Sequence, residues 1–534
     1  MIEIPATMAT QHPDSASKQV TVGEEPQEAA QVLSREGLGL DEYLIDYMSK
    51  MTPYHQVKWI IDELHKKTNL VPGRDVFITP RMVSGFADEP FRQLMTFLAI
   101  LEGISTTMDI FGEQGIIEIA YAVTGGEDDF GKCKSRITRI FSLVGKDLNP
   151  KIEKQTLRIM PLLEGIPQQL SSRELISRYA EQLSTTDPLR IFLGNSETSM
   201  ICGRVASTLS IKIALSDCQR AEEETSIPVF PAIGGGALPF RGHITSSNAE
   251  NFLKEYSGAR TFTIQSGVIY DHGPESTRSL AEKIKNGVHS KAREFNDEER
   301  SEILRIMAIF TKNYLEELTE IADSVTRIAS AIPNQRERTL EASKVNYYLN
   351  LRDIRNFVHL SPDPEIRQRI SDLKPESFLN LPRSIKFTAA LYTAALPPEF
   401  IGTGNAIEEL ASKMGETYVE RLLDDIFPSL GIDLIFASQF LDRDGAENPV
   451  MTERIRSGIK ALEERFTLQE IDSGYKSLSQ LTLSTIFKRA EGKRPARLAV
   501  QIYPGEVVEY LDGSDEKNIV KMILDMGKMR RSLG

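Results

Sequence analysis

The sequence predicts an α/β protein, a TIM-type (β/α)8 barrel with a large all-helical C-terminal extension. Short strand-like apolar runs in the first half each stop at a polar or glycine-rich stretch. The later runs recur about every 30–35 residues, the length of a strand–helix unit. Helical periodicity then dominates the second half. We therefore expect a barrel over residues 1–275 and a mainly helical region over residues 276–534 that packs on it.

Eight apolar runs are predicted as the barrel strands, two of them weak: 2–9, 76–79, 106–111 (weak), 116–123 (weak), 156–163, 190–193, 228–233 and 261–265. Helical patterns lie between the runs, for example over 89–103 and 203–215. Five helical patterns follow the barrel: 276–288, 297–332, 337–360, 406–427 and 452–471.

Composition excludes several classes of protein. The chain has 534 residues with 40% hydrophobic and 26% charged residues, so a packed core is expected. Its net charge of −13 argues against a nucleic-acid partner. Three cysteines show neither metal-ligand spacing nor a disulfide framework, which fits a reducing, cytoplasmic setting. No basic start with a long apolar core is present, and no apolar run approaches ~18 residues, so neither a leader nor a membrane partner is expected.

Chemistry in such a barrel is carried where the strands end and the loops begin. Six features follow the predicted strands, and they form a chemically coherent set: His12, Arg81, Glu164, Glu197, the glycines Gly234, Gly235 and Gly236, and Gln265.

Glu164 and Glu197 each end a strong apolar run on consecutive strand–helix units. Mg²⁺ is typically held by one or two carboxylates together with waters and substrate oxygens. The pair therefore predicts a divalent-cation site. The alternative is that each glutamate only caps the helix that follows it.

The stretch 234–242, GGGALPFRG, can present backbone N–H groups to an anion, and Arg241 adds a planar donor set. A turn that merely lets the chain bend is an equally good interpretation. Arg81 and Arg383 each follow a proline, and we group them with Arg241 because a substrate bearing phosphate and carboxylate needs several converging cations. Either could instead be a surface arginine.

His12, between Gln11 and Pro13, is predicted to lie at the mouth of the barrel. A histidine with an ordinary pKa near ~6.5 can act as a base at neutral pH. A buried structural histidine is the alternative.

At these residues the sequence resembles the phosphoenolpyruvate carboxylase family in its short, archaeal-type form. Seven segments match family motifs in collinear order: ATQHPDSAS (9–17), IMPLLEGIPQQL (159–170), FLGNSETSMICGRVASTLSIKIAL (192–215), IGGGALPFRGH (233–243), ARTFTIQSG (259–267), LPRSIKFTAALYTAALPPEFIGTGNAI (381–407) and MGKMRRSLG (526–534). Arg81 is similar to the arginine of the family's D-I-R-Q-E-S motif.

The resemblance implies a barrel of the phosphoenolpyruvate/pyruvate kind. It also implies carboxylation of phosphoenolpyruvate by bicarbonate to oxaloacetate and phosphate, through carboxyphosphate and a metal-stabilised enolate, with Mg²⁺ or Mn²⁺. An anaplerotic, CO2-fixing role and a homotetramer are further implications.

The same resemblance assigns residues to roles. The catalytic set is His12, Arg81, Arg241 and Arg383, with Glu164 and Glu197 as metal ligands. The substrate-binding set is Gly234, Gly235, Gly236, Gln265 and Arg369, the last assigned by spacing. Arg530 and Arg531 are a possible effector site.

The sequence also departs from the family motifs. Gly235 stands where the longer enzymes have their first loop arginine, and Met200 replaces a lysine. These departures keep open a metabolite-binding protein without turnover. A metal-dependent carbon–carbon lyase on the same barrel is a second alternative, because it would share the metal carboxylates and the glycine loop.

Overall fold

The computed structural model describes twelve segments: residues 4–48, 50–82, 90–122, 127–183, 188–335, 361, 363–373, 381–445, 447–489, 498–503, 506–510 and 516–534. The predicted helix over 337–360 falls in the undescribed stretch between 335 and 361.

Eight parallel strands close into a barrel in chain order, with the first strand paired to the last. Their bounds are β1 (Thr7–Thr10), β2 (Glu42–Asp46), β3 (Phe77–Met82), β4 (Glu118–Ala122), β5 (Arg158–Leu163), β6 (Leu189–Gly194), β7 (Val229–Gly234) and β8 (Thr261–Gln265). The predicted TIM-type barrel is confirmed.

One predicted strand is wrong and one strand was missed. Residues 106–111 belong to the helix Pro90–Phe111, and the second strand is instead Glu42–Asp46. The other seven predicted runs each overlap an observed strand. The sequence of β2, EYLID, has only three apolar residues between two charged ends, and both charged ends are buried.

The charged start of β2 has partners inside the barrel. Arg190 on β6 bonds Glu42 on β2 at 2.7 Å and Glu118 on β4 at 2.8 Å, and it donates to Thr261 on β8 at 3.1 Å. These four residues come from alternate strands, which is how one layer of a (β/α)8 interior is built. Burying unpaired charges would be costly, so this layer holds only as a complete network. A further group of buried residues is entirely apolar: Met8, Leu44, Ala120, Met160, Leu162, Phe192 and Ala232.

Helices surround the barrel and connect its strands: α1 (Glu25–Leu33), α2 (Gln56–Lys67), α3 (Pro90–Phe111), α4 (Glu127–Asp147), α5 (Ile166–Leu170), α6 (Ser172–Leu183), α7 (Ser196–Cys202), α8 (Arg204–Thr225), α9 (Ala249–Glu255) and α10 (Pro274–Gly287). Helices α7 and α8 meet at Gly203, whose φ is 85°, so α8 begins close to the start of the helical pattern predicted over 203–215.

One of these helices has a longer apolar stretch than the sequence analysis predicted. Within the described ranges, only Phe91–Phe111 in α3 is long and apolar enough to cross a membrane, with a mean hydropathy of 1.4. Scattered polar residues such as Gln93, Thr96 and Glu102 interrupt the apolar run, although the average stays high. The helix connects β3 to β4 and is one of the barrel helices.

The C-terminal region adds nine helices in the described segments: α11 (Asp297–Ala331), α12 (Pro364–Ser371), α13 (Ser384–Thr393), α14 (Thr403–Met414), α15 (Glu416–Arg421), α16 (Ser429–Ser438), α17 (Glu453–Glu463), α18 (Ser473–Arg489) and α19 (Glu516–Met529). The long α11 starts at a capping box formed by Asn296 and Glu299 and contacts the barrel helix α8. The predicted helix 406–427 is divided at Gly415, whose φ is 104°.

The extension is not entirely helical, contrary to the prediction. Leu498–Tyr503 and Glu506–Tyr510 pair as an antiparallel two-stranded sheet. Both segments are rich in β-branched and aromatic residues, which favour strands over helices.

Candidate active site

Arg81 lies near the end of β3 and is fixed by the neighbouring strand. Its Nε and Nη2 donate to Asp46, at the end of β2, at 3.0 and 2.7 Å. The third nitrogen, Nη1, lies 3.9 Å from Oε1 of Glu164. Burial alone would lower the pKa of Arg81, but the Asp46 carboxylate raises it above its ordinary value. The guanidinium is thus a permanent cation that points between two strand ends.

Glu164 directly follows β5, and its side chain is 22% exposed. A Cβ on Gly194, at the end of the next strand, would lie 3.2 Å from Cγ of Glu164, so the glycine leaves room for this side chain. Burial raises the pKa of Glu164, Arg81 opposes that shift, and Glu197 adds to it. The charge of Glu197 therefore acts on Glu164.

Glu197, the second residue of α7, faces the C-terminal region. Its Oε1 accepts a hydrogen bond from Ser384 at 3.2 Å and lies 3.7 Å from Nε of Arg383. Arg383 immediately precedes α13, so the helical extension supplies a cation to a carboxylate at the barrel mouth. The structure brings Arg81, Glu164, Glu197 and Arg383 together.

The two carboxylates fit a hard divalent cation better than a role in capping helices. The N-cap positions of the following helices belong to Gly165 and Asn195, not to the glutamates. The guanidinium contacts at 3.7 and 3.9 Å are longer than hydrogen bonds. Two carboxylate donors suit Mg²⁺, which completes its shell with water and substrate oxygens. No group of three or more His, Cys, Asp or Glu poised for a metal occurs among the described residues.

The triple glycine at the end of β7 packs too closely to admit side chains. A Cβ on Gly234 would lie 2.4 Å from the Phe192 ring, and one on Gly235 would lie 2.7 Å from the carbonyl oxygen of Arg241. The amide of Gly235 donates to Thr263, and that of Gly236 donates to Arg241. Because these two amides have partners within the protein, the structure favours the interpretation of a tight turn. An arginine at position 235 has no room.

Arg241 is only 1% exposed and has several partners. It donates to Ser196 through Nε at 3.2 Å, to Asp14 through Nη1 at 3.2 Å, and to Gln265 through Nη2 at 2.5 Å. Burial lowers its pKa while Asp14 raises it, and the net direction is down. Its contact with Ser196 places the guanidinium beside the residue that precedes Glu197.

His12 follows β1 in a loop that is fixed at several points. Its amide donates to Ser266 at 3.1 Å, and its Nδ1 lies 2.9 Å from the Thr10 hydroxyl. Asp271 accepts hydrogen bonds from the Ser15 hydroxyl and the Ala16 amide at 2.8 and 2.7 Å. The ring is half-buried and held in orientation, as proton transfer would need.

Three of the predicted residues contact other parts of the protein. Arg369 on α12 forms an ion pair with Glu316 on α11 at 2.6 Å and is 42% exposed. Arg530 is buried, donates to the Tyr475 hydroxyl at 3.0 Å and lies over the Tyr392 ring. Arg531 is exposed with a φ of 55°. None of these contacts joins the three arginines to the cluster around Glu164.

Two aspartates in the site were not predicted. Asp46 orients Arg81, and it was missed together with its strand. Asp14 lies two residues after His12 and contacts Arg241; burial raises its pKa against the influence of that arginine. Its position inside the His12 segment was the only available indication.

These features define a (β/α)8-barrel enzyme with two carboxylates and Arg81 near its strand ends, Arg383 of the extension beside Glu197, and His12 in the loop after β1. A family model described as phosphoenolpyruvate carboxylase matches residues 4–534. Phosphoenolpyruvate carboxylase of Methanosarcina mazei is 34% identical over 99% of each chain. That of Methanosarcina barkeri is 37% identical over 86% of this chain and 87% of the other.

The chain belongs to the phosphoenolpyruvate carboxylase family, and the resemblance in its motifs is confirmed. Among solved structures, the magnesium/glyoxylate complex of Haloferax volcanii malate synthase aligns over 79% of this chain and 98% of that one. Its 14% identity and TM-score of 0.34 are too low to inform fold or function.

Proposed function

We propose that this chain carboxylates phosphoenolpyruvate with bicarbonate at the mouth of its barrel, giving oxaloacetate and phosphate, and that it requires Mg²⁺ or Mn²⁺ held by Glu164 and Glu197. The observation that carries the proposal is the convergence of Glu164 and Glu197 with Arg81 and Arg383. Family membership supports the reaction. Cytoplasmic location, an anaplerotic role and a homotetramer are parts of the same proposal.

The substrates set the electrostatic demand on the site. Phosphoenolpyruvate carries a phosphate and a carboxylate, and bicarbonate adds a third anion. Arg81 supplies fixed positive charge beside Glu164 and Arg383 beside Glu197, and planar guanidinium groups match phosphate and carboxylate oxygens. A divalent cation bound there would neutralise charge on the phosphate and the enolate oxygen.

The chemistry proceeds in two stages. A bicarbonate oxygen forms a bond to phosphorus as the bond from phosphorus to the enol oxygen breaks, which leaves carboxyphosphate and the enolate of pyruvate. Carboxyphosphate then splits into CO2 and phosphate, and His12 accepts its carboxyl proton. The enolate carbon finally bonds to CO2. Arg81 and Arg383 are placed to stabilise charge that develops on the transferred phosphoryl group.

The enolate must react with CO2 before water protonates it. The start of α13 borders the site on the side of the extension, since Arg383 and Ser384 both contact Glu197. In a closed site, this part of the extension would keep water away from the enolate during the second stage.

The departures from the family motifs have structural explanations. Gly235 has no space for a side chain, and Met200 is 2% exposed, with its carbonyl accepting the Tyr314 hydroxyl at 2.6 Å. Neither residue therefore argues for a protein that binds without turnover.

A coupled assay tests the proposal. The protein is mixed with phosphoenolpyruvate and Mg²⁺, with and without bicarbonate, and oxaloacetate is followed through malate dehydrogenase and NADH. We expect NADH oxidation that requires both bicarbonate and the cation. Release of pyruvate and phosphate without oxaloacetate would exclude the carboxylation step, and binding without turnover would restore the metabolite-binding alternative.

A further inference from the structure

The segment that carries Arg241 is held on both sides by carboxylates of the helical extension. Just before Arg241, the amide of Phe240 donates to Glu399 at 2.7 Å, and Glu399 also accepts the Tyr392 hydroxyl at 2.9 Å. Just after it, Nδ1 of His243 lies 2.7 Å from Oδ1 of Asp433 on α16. Glu399 and Asp433 are each 1% exposed. We call these two residues the carboxylate clamp.

Asp433 also reaches the loop that carries Glu197. Its Oδ2 accepts from Nη2 of Arg204 at 3.1 Å. Arg204 in turn donates through Nη1 to Oδ1 of Asn195 at 3.4 Å and to the Tyr256 hydroxyl at 3.1 Å. Asn195 precedes Ser196, whose hydroxyl accepts from Arg241. Asp433 is therefore linked to the Arg241 region by two routes. One runs through His243, and the other runs through Arg204 and Asn195 to Ser196.

Close packing alone would not require these buried hydrogen bonds and ion pairs. Burying carboxylates is costly, and apolar side chains of similar size would fill the same space at lower cost. His243 has a φ of 55°, a left-handed conformation that is unfavourable for a residue other than glycine. Burial raises the pKa of Asp433, but Arg204 and His243 together hold it below its ordinary value, so the carboxylate is ionised at neutral pH.

We propose that Glu399 and Asp433 are positioning residues that set the location of Arg241. The extension thereby fixes an arginine that the barrel uses to bind an anion. The proposal rests on the function proposed above, because it assigns a role to the binding of phosphoenolpyruvate by Arg241. Both clamp residues act on Arg241 through its neighbours, Glu399 through the Phe240 amide and Asp433 through the His243 ring. Preorganised support of this kind is what active-site cations require in order to act.

A double-mutant cycle between Asp433→Asn and Arg241→Lys tests the proposal. Asparagine keeps the shape of Asp433 and removes its charge. We expect Asp433→Asn alone to raise KM for phosphoenolpyruvate about tenfold, and to add no further loss in the Arg241→Lys background, because residues that act through one another are non-additive. Multiplicative losses would overturn the proposal.

The control is Asp442→Asn. Asp442 is also buried in the extension, but its side-chain partners are Lys476 at 2.8 Å and Gln480 at 3.2 Å, both on α18. We expect its KM for phosphoenolpyruvate to match the wild type. An equal rise in KM for this variant would mean that any buried charge in the extension has the same effect, and the clamp would lose its special role.

Hydrogen–deuterium exchange supplies a readout that does not depend on turnover. In Asp433→Asn, the amides of residues 236–245 should exchange faster while those of the barrel strands stay protected. Unchanged protection of 236–245 would contradict the proposal. Glu399→Leu, which removes the acceptor of the Phe240 amide, should give the same local result and serves if Asp433→Asn does not fold. If the wild type makes no oxaloacetate, the proposed function fails, while the exchange result still decides whether the clamp holds the segment.

Discussion

Replacing His12 with asparagine should lower oxaloacetate formation by about 10²–10⁴-fold, the range that a positioned general base contributes. Asparagine can keep a contact with Thr10, now 2.9 Å from Nδ1, but it cannot accept the proton of carboxyphosphate. The phosphoryl-transfer stage does not use this base, so phosphate release should persist, with the enolate protonated to pyruvate. Lactate dehydrogenase and malate dehydrogenase assays run in parallel measure the two products.

His55→Asn is the matched control for this variant. His55 is an exposed histidine that pairs with Glu102 at 2.9 Å on the barrel's outer helices. It should behave as the wild type in both assays. Oxaloacetate production by His12→Asn at the wild-type rate would remove His12 from the proposed mechanism.

Replacing Glu197 with glutamine should raise the Mg²⁺ concentration needed for half-maximal activity by at least about tenfold, since loss of even an outer-shell partner of a metal costs 10–100-fold in affinity. The change removes one of two carboxylate charges and keeps an oxygen that can accept from Ser384. Binding of Mn²⁺ alone, measured by electron paramagnetic resonance, should weaken by a similar factor in the absence of substrate.

Glu174→Gln controls for loss of a surface charge, because its side chain is 75% exposed on α6 and forms an ion pair with Arg178 at 3.9 Å. Identical Mg²⁺ titrations for Glu197→Gln and the wild type would exclude Glu197 as a ligand. A rise in KM for phosphoenolpyruvate with unaltered Mn²⁺ binding would reassign it to substrate positioning.

The barrel could be predicted because most of its strands are continuous apolar runs that end in polar residues. The run 261–265 coincides with β8, and 156–163 contains β5. β2 could not be predicted in this way, since Glu42 is buried only because Arg190, far along the chain, neutralises it. The apolar run 106–111 was wrongly predicted as a strand, because it is the last part of a long apolar helix.

The site was partly predictable, because strand ends meet at one face of any such barrel. That rule predicts Arg81, Glu164 and Glu197 at this face from the sequence alone. It could not reveal how Arg241 is held, because its supports Asp14, Glu399 and Asp433 lie far from it in sequence. Arg369 was assigned by spacing, and spacing carries no information on the ion pair with Glu316 that the fold creates.

The most direct test of the account follows oxygen atoms from bicarbonate fully labelled with ¹⁸O into both products. Attack on phosphorus by a bicarbonate oxygen transfers that atom to phosphate and leaves two labelled oxygens on the CO2 that the enolate captures. We predict one ¹⁸O in each phosphate and two in the new carboxylate of oxaloacetate, measured by mass spectrometry before exchange with water. Unlabelled phosphate would contradict the account, because it would show that bicarbonate is not the phosphoryl acceptor at this site.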